Sequence, residues 1–561
     1  MKKVLIALSS LMLTMVSAAR ICRADNPFVQ TIYTADPAPF VYNGVLYAFL
    51  DHDEDGTYGW FQMKDWRLFT TTDMVNWTDR GVTASLKTFS WGRVDAWAGQ
   101  VAYRNGKFYY YVPIRIQGDP FGIGVGVSDK PEGPYTDAIG KPLVTGNGYI
   151  DPTVFIDDDG QAYLYWGNPS LFMVKLNPDM ISYSGGVVRV PLNATTVNNM
   201  YLEGPWFYKR NGLYYLLYST QNNGTAGKED IRYSTSTGPT GPWTYRGIIQ
   251  PVQAGGKSWT NHSGVVDYKG KSYYFYHTGD LPGGSDFTRS SCVEEFKYNA
   301  DGTIPTIPMT KQGPAPIENL NPFVETEAET IAFSSGLKTE VCSEGGMNVT
   351  SINNGDYIKV RSVDFRTGAV SFAARVAAAT AGGSIEMHLD GLTGTVIGTC
   401  AIAATGGAQT WATKTCDASG AVETHDLFFK FTGSGTAELF KFNWWRFTPK
   451  DPLPDAGPDG GVAGTGGVGG FSGRGGASGT GGSAGGASGS GGSGGRSTGK
   501  GGSTGSGGAA GVGGSSGSGG AGSGGSAVSS GGSSGSGGGA TNGGAGAGTG
   551  GIASASGGSG G

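Results

Sequence analysis

The sequence predicts an all-β protein on three observations: one hairpin phrase that recurs five times, a following stretch of short alternating runs, and a terminal stretch almost without apolar residues. The recurring phrase reads FVYNGVLYAFL, VAYRNGKFYYYVP, VFIDDDGQAYLYWG, WFYKRNGLYYLLYS and VVDYKGKSYYFYHT. Each copy is a β-branched or aromatic run, a tight turn ending in glycine, and a second alternating run rich in tyrosine, which is how a β-hairpin is written in sequence. The turn glycines Gly44, Gly106, Gly160, Gly212 and Gly270 are spaced by 62, 54, 52 and 58 residues. That interval holds about four short strands, the content of one propeller blade. Residues 25–318 are therefore predicted to form a five-bladed β-propeller.

KQGPAPIENLNPF, residues 311–323, reads as a proline-bearing linker. Residues 324–449 then change character, with runs such as YIKVRSV, SIEMHLD and ELFKFNWWRF between Gly, Thr and Asn turns. Such strands fit a β-sandwich of the jelly-roll kind. Residues 455–561 are almost wholly Gly, Ser, Ala and Thr and hold about half of the 102 glycines. A segment that buries so little apolar surface cannot offset its ordering entropy, so a disordered tether is predicted.

Residues 1–19 combine Lys2-Lys3, an apolar run and Ser17-Ala18-Ala19, the pattern of a secretory signal peptide. The mature chain is thus expected outside the cell, with the tail available to associate it with a surface. No other apolar run approaches the ~20 residues that span a bilayer. With Lys+Arg 40 against Asp+Glu 45 the net charge is −5, which disfavours nucleic acid as a partner. Neither a membrane contact nor an organic cofactor is expected, and the chain reads as a monomer. Cys400 and Cys416 flank the turn segment ATGGAQTW, so their strands are expected side by side and joined by a disulfide.

The residues just before each hairpin point to chemistry. Eight or nine positions ahead of the turn glycines stand Asp36, Trp97, Asp151, Glu203 and the pair Asn261-His262. Equivalent positions in successive blades ring the central channel, so three carboxylates, a Trp and a His face one another there. Mutual repulsion raises at least one carboxyl pKa and leaves a proton for general acid work near neutral pH. Carboxylates of unequal pKa are the equipment of a glycosidase.

These residues resemble glycoside hydrolase family 43, through Asp36 in TADPAPF, Asp151 in YIDPTVF and Glu203 in YLEGPWF. The resemblance implies inverting cleavage of arabinofuranosyl or xylosyl linkages, with Asp36 as general base, Glu203 as general acid and Asp151 orienting Glu203. Inversion asks for roughly 6.5–9.5 Å between base and acid, a gap that blades across a funnel supply. By the same likeness Arg289 in SDFTRSSC contacts the sugar and the region of the acid, and Trp97 walls the sugar. Relatives carry Trp-Ala-Pro where this chain has Trp97-Ala98-Gly99, which implies a looser backbone. Some relatives hold an axial calcium through a histidine, and His262 is the candidate here.

Residues 324–449 resemble a family 6 carbohydrate-binding module, through TEAET, VCSEGGMNVTSINNGDYIKV, GGAQTWATKTC and LFKFNWWRF. The likeness implies that Tyr357 and Trp411 sandwich a sugar and that Glu327, Glu329 and Asn443 help hold a structural calcium. Lys441 departs from the family, in which an asparagine often binds sugar at this place. The expectation is an exported α-L-arabinofuranosidase acting on arabinoxylan. The rivals are an exo-acting β-xylosidase with the same three carboxyls and a non-catalytic glycan-binding surface protein.

Overall fold

The computed structural model describes residues 25–452, except 199, 222–227 and 254–257. The expected signal segment and tail lie outside the described residues. Within them the chain is nearly all β, with one short helix, Ala194–Val197.

The first part folds as five antiparallel sheets taken in sequence order. Each opens with one of the recurring hairpins, and the turn glycines all have positive φ, between 76° and 82°. Four hairpins place the preceding residue in the left-handed region as well, at Asn43, Asn105, Asn211 and Lys269. Positive φ at both central residues matches the right-handed twist of the flanking strands. The third hairpin differs: Asp159 has no positive φ, and the turn widens so that the Asp157 N–H donates to the Gln161 carbonyl. The tyrosine-rich second strands are buried on both faces, as in Lys107–Arg115, because each sheet packs between two others.

Hydrogen bonds link each sheet to the next. Trp66 Nε1 donates to the Trp97 carbonyl, the Val154 N–H to Gln100, the Phe207 N–H to Thr153 Oγ1, and Trp206 Nε1 to the Val265 carbonyl. The Thr34 N–H donates to the Arg289 carbonyl and returns the fifth sheet to the first.

The second part is two sheets of six and five strands packed face to face. Ile358, Val360, Phe372, Phe429, Phe442 and Trp445 fill the space between them. Cys400 and Cys416 are bonded, with Cα atoms 5.4 Å apart. Their strands do not lie side by side as expected. Val396–Ile402 belongs to the five-stranded sheet and Trp411–Asp417 to the six-stranded one, so the bond clamps the two sheets together.

The linker segment 311–323 is tied to both parts: the Asn26 N–H donates to the Lys311 carbonyl, the Ile317 N–H to the Asp73 carbonyl and the Leu320 N–H to the Ser362 carbonyl. Thr330–Ile331 pairs with Trp77–Ser85 and extends the first sheet by a strand. Asn76 exchanges two hydrogen bonds with the Arg361 backbone, at 2.8 and 2.9 Å, and Thr339 Oγ1 donates to the buried Asp79 at 2.6 Å. At Gly81, φ 78°, an added Cβ would lie 2.8 Å from Met347 Sδ, so only glycine admits this approach.

Candidate active site

The carboxyls expected as base and acid stand on irregular backbone. Strand Tyr33–Tyr42 slips its register between Ala35 and Ala38, and Asp36 in the gap has φ 49°. Strand Glu203–Arg210 slips between Glu203 and Trp206, around Gly204 at φ 60°. Asp151, φ 56°, stands just before strand Thr153–Ile156. Such bulges re-aim side chains and cost local strain, which the surrounding sheets hold. Asp36, Asp151, Glu203, Trp97, His262 and Arg289 all line one cavity of about 380 Å³.

Asp36 is buried beside Arg289, whose NH1 donates to both carboxylate oxygens at 3.1 Å. The same guanidinium forks onto Asp53 through Nε and NH2 at 2.9 and 3.0 Å. Burial alone would push the Asp36 carboxyl up. Arg289, with the imidazoles of His262 and His277, outweighs burial and holds it well below the usual carboxylate range. His277 Nδ1 lies 3.2 Å from the Asp36 backbone nitrogen and 3.3 Å from Asp36 Oδ1, and its Nε2 lies 2.9 Å from the Thr260 carbonyl oxygen.

Asp151 accepts the Gly204 N–H on Oδ2 at 3.0 Å, which ties it to the backbone beside Glu203. Burial pushes its pKa up to about 7; His262 opposes this, and the charges of Glu203 and Asp36 add to it. Glu203 is half-buried, and its Oε2 accepts from Asn168 Nδ2. His262 stands among the acids, with Nδ1 3.5 Å from Asp36 Oδ1. Burial disfavours its charge, but the neighbouring Asp36, Asp151 and Glu203 raise its pKa. The ring thus faces the carboxyl set from the fifth sheet's side of the cavity. Among the described residues, the group of three His, Cys, Asp or Glu side chains close enough to share a metal is His52, Glu54 and Asp65, and Arg67 and Lys64 already pair with its carboxylates.

Arg289 was expected to contact the sugar and the region of the acid; its donors reach Asp53, Asp36 and Thr260, so it holds Asp36. Gly99 does not loosen the backbone: an added Cβ would meet Val112 and Tyr110 at 2.8 and 2.9 Å. Trp97 is a wall, packed on Phe121 at 4.7 Å and Phe61 at 5.9 Å.

Sequence reasoning missed Asp51, Asp53, Asn168 and Glu229. Asp51 is 1% exposed with Oδ2 unpartnered among the described residues, and burial, then the Asp36 charge, raises it well above the usual range. The available signal was two acids, Asp51 and Asp53, ending the otherwise apolar strand VLYAFLDHD. Trp60, 44% exposed, and Trp259 also escaped notice; they stand 6.0 Å apart and line the cavity.

In the second part, Tyr357 and Trp411 do not flank one cleft. Tyr357 alternates with core residues Ile358 and Val360 and lies on the outer face of the five-stranded sheet, beside Phe333 and Phe428. Trp411 lies on the outer face of the six-stranded sheet, where Nε1 donates to Ser343 and Gln409. Lys441 is paired with Glu340. Glu327 and Glu329 straddle Ala328, whose N–H donates to the Asn443 carbonyl at 2.8 Å. Glu329 is 2% exposed, and its Oε2 has no partner among the described residues. Burial, then the charge of Glu327, raises Glu329 well above the usual range.

Comparison with known proteins agrees with this arrangement. Residues 24–304 match the model of glycosyl hydrolases family 43, and residues 327–449 that of carbohydrate binding module family 6. An arabinoxylan arabinofuranohydrolase of Bacillus subtilis strain 168 is 36% identical over 485 residues, 76% of this chain and 93% of that protein. A xylosidase/arabinosidase 43A of Humicola insolens is 32% identical over half of this chain and 98% of its own length. The crystal structure of a family 43 arabinoxylan arabinofuranohydrolase from Bacillus subtilis, in complex with cellotetraose, superposes with a TM-score of 0.66 at 34% identity, covering 76% of this chain and 97% of that one. With its carboxyls gathered in one cavity and its sequence matched along three quarters of its length, the chain belongs to glycosyl hydrolase family 43 and is a glycosyl hydrolase.

Proposed function

We propose that this chain is an exported, inverting α-L-arabinofuranosidase that removes side groups from arabinoxylan. The observation that carries the reading is the pairing of an anionic Asp36 on the first sheet with Glu203 on the fourth, both lining one cavity. Arg289 keeps Asp36 charged and able to take a proton from water. Glu203, held by Asn168, protonates the departing oxygen, while Asp151 fixes the backbone beside it. Five sheets that hand hydrogen bonds around to the first support a five-bladed propeller, and two packed sheets support a jelly-roll module. The named activity of the Bacillus subtilis relative, matched over most of both chains, supports arabinoxylan as substrate. The apolar segment within residues 1–19 supports export.

A xylosidase reading draws on the Humicola insolens relative. Purified protein assayed on nitrophenyl arabinofuranoside, nitrophenyl xyloside and arabinoxylan separates the two. Arabinose without xylose is expected from arabinoxylan, and xylose released from chain ends overturns the assignment.

Glu327, Glu329 and Asn443 fit a calcium ion, since oxygen ligands and an unpartnered buried carboxylate oxygen are what that ion takes. Bound there, it supplies charge neutralisation and rigidity far from the sugar. Chelation is expected to lower the unfolding temperature and leave turnover of nitrophenyl arabinofuranoside on the folded protein unchanged. An unmoved unfolding temperature on chelation and on calcium addition contradicts the site.

A further inference from the structure

The acid assigned above stands against a carboxyl that the scheme has not used. Glu229 opens strand Glu229–Ser236 of the fourth sheet and is 5% exposed. Registers Glu203↔Ser219 and Gln221↔Glu229 bring it to the same end of the sheet as Glu203. Both carboxyls line the cavity, and Glu203 stands close enough for its charge to act on Glu229. Each has its Oε2 tied to a donor: Glu229 accepts the Asn261 N–H at 2.8 Å, and Glu203 accepts from Asn168 Nδ2.

Among the described residues, the charged groups that act on Glu229 are the carboxyls of Glu203 and Asp151. Glu203 approaches from the first strand of its own sheet, Asp151 from the third sheet, and the Asn261 N–H from the segment before the fifth. Neighbouring Lys228 directs its ammonium at the Ser258 carbonyl and Asp286, and Arg232 pairs with Asp230. The buried Glu229 and the half-buried Glu203 repel if both ionise, which favours a single proton between them. Burial, then the charge of Glu203, keeps Glu229 well above the usual carboxylate range.

We propose that Glu229 is a positioning residue for the general acid, sharing one proton with Glu203 so that the acid is loaded when a sugar chain must leave. The proposal rests on the reading of Glu203 as that acid. When Glu203 holds the proton, Glu229 carries the negative charge and resists a second ionisation. In the reaction the C1–O bond breaks with its electron pair passing to the leaving oxygen, which takes the proton of Glu203. The water oxygen forms the new bond to C1, and its proton goes to Asp36. Solvent then returns a proton to the Glu203–Glu229 pair and removes one from Asp36.

Glu229→Gln tests this, because the amide keeps the shape and an acceptor for Asn261 but removes the charge. Near neutral pH, kcat on arabinoxylan is expected to fall about tenfold or more, a factor of ten for each unit by which the acid is unloaded. That loss recovers as the pH is lowered. Turnover of nitrophenyl arabinofuranoside, whose leaving group needs little help, changes less than about twofold. Glu229→Asp retains the charge and is expected to keep the ratio of the two rates near wild type. Equal rates on both substrates in Glu229→Gln, an equal loss on both, or the same selective loss in Glu229→Asp overturns the proposal. A second readout is spectroscopic. The component of the protonated-carboxyl infrared band that Glu229→Gln removes should titrate at lower pH in Glu203→Gln than in the wild type, and an unmoved component overturns the sharing. Glu203→Gln is assayed in parallel: if it lacks the leaving-group split, the acid assignment fails first.

Discussion

At the scale of single residues, the site works by giving similar carboxyls different surroundings. Asp36 and Asp51 occupy adjacent strands of one sheet, yet Arg289 and two imidazoles hold the first anionic while burial and the charge of Asp36 hold the second neutral. Glu203→Gln removes the proton donor and keeps the shape. Its rate on arabinoxylan is expected to fall by about 10²–10⁴, the usual share of general acid catalysis, with a smaller loss on nitrophenyl arabinofuranoside. Equal losses on both substrates contradict the assignment.

Asp151 gives a pH signature. Its folded value, about 7, lies above the ordinary 3.8, so its contribution to stability is present below about pH 4 and is lost as pH rises through about 7. Urea midpoints measured across that window should fall less steeply in Asp151→Asn than in the wild type. Identical slopes mean that Asp151 does not titrate there.

At the scale of elements, the hairpins were legible because local chemistry decides them: Asn-Gly and Lys-Gly turns between alternating runs leave few alternatives. The three carboxyls Asp36, Asp151 and Glu203 that meet in the cavity were legible for a related reason, since the repeat marks their position. Asp51 and Glu229 lie on second and third strands, away from the repeated position, and Asn168 lies beyond the end of a strand. A buried acid is recognisable only once its partner is known. Tyr357 and Trp411 show the opposite failure. Alternation correctly places each on an outward face, but it does not say which sheet a strand joins, and the two sheets face opposite ways. The disulfide carries the same lesson, because its two strands belong to different sheets.

At the scale of the whole molecule, the sandwich is part of the body that carries the site. Thr330–Ile331 completes the first sheet, and Asn76 and Asp79 of that sheet find partners on the sandwich. Ending the chain after Pro322 removes those partners from Asn76 and Asp79 and uncovers the sheet edge. Each hydrogen bond lost is worth about 0.5–1.5 kcal/mol. The truncated protein is expected to unfold at lower temperature and to lose activity on small soluble substrates as well as on polysaccharide. A truncated chain with wild-type unfolding temperature and turnover contradicts this coupling.

The central claim is that Asp36 activates water on the opposite side of the sugar from Glu203. Proton NMR of the anomeric signals during the first minutes of hydrolysis of an α-L-arabinofuranoside tests it most directly. The β anomer must appear first and mutarotate afterwards, with no covalent sugar adduct on the protein. First appearance of the α anomer, or an arabinosyl ester trapped on Asp36, would show that Asp36 attacks the sugar itself and is not a base.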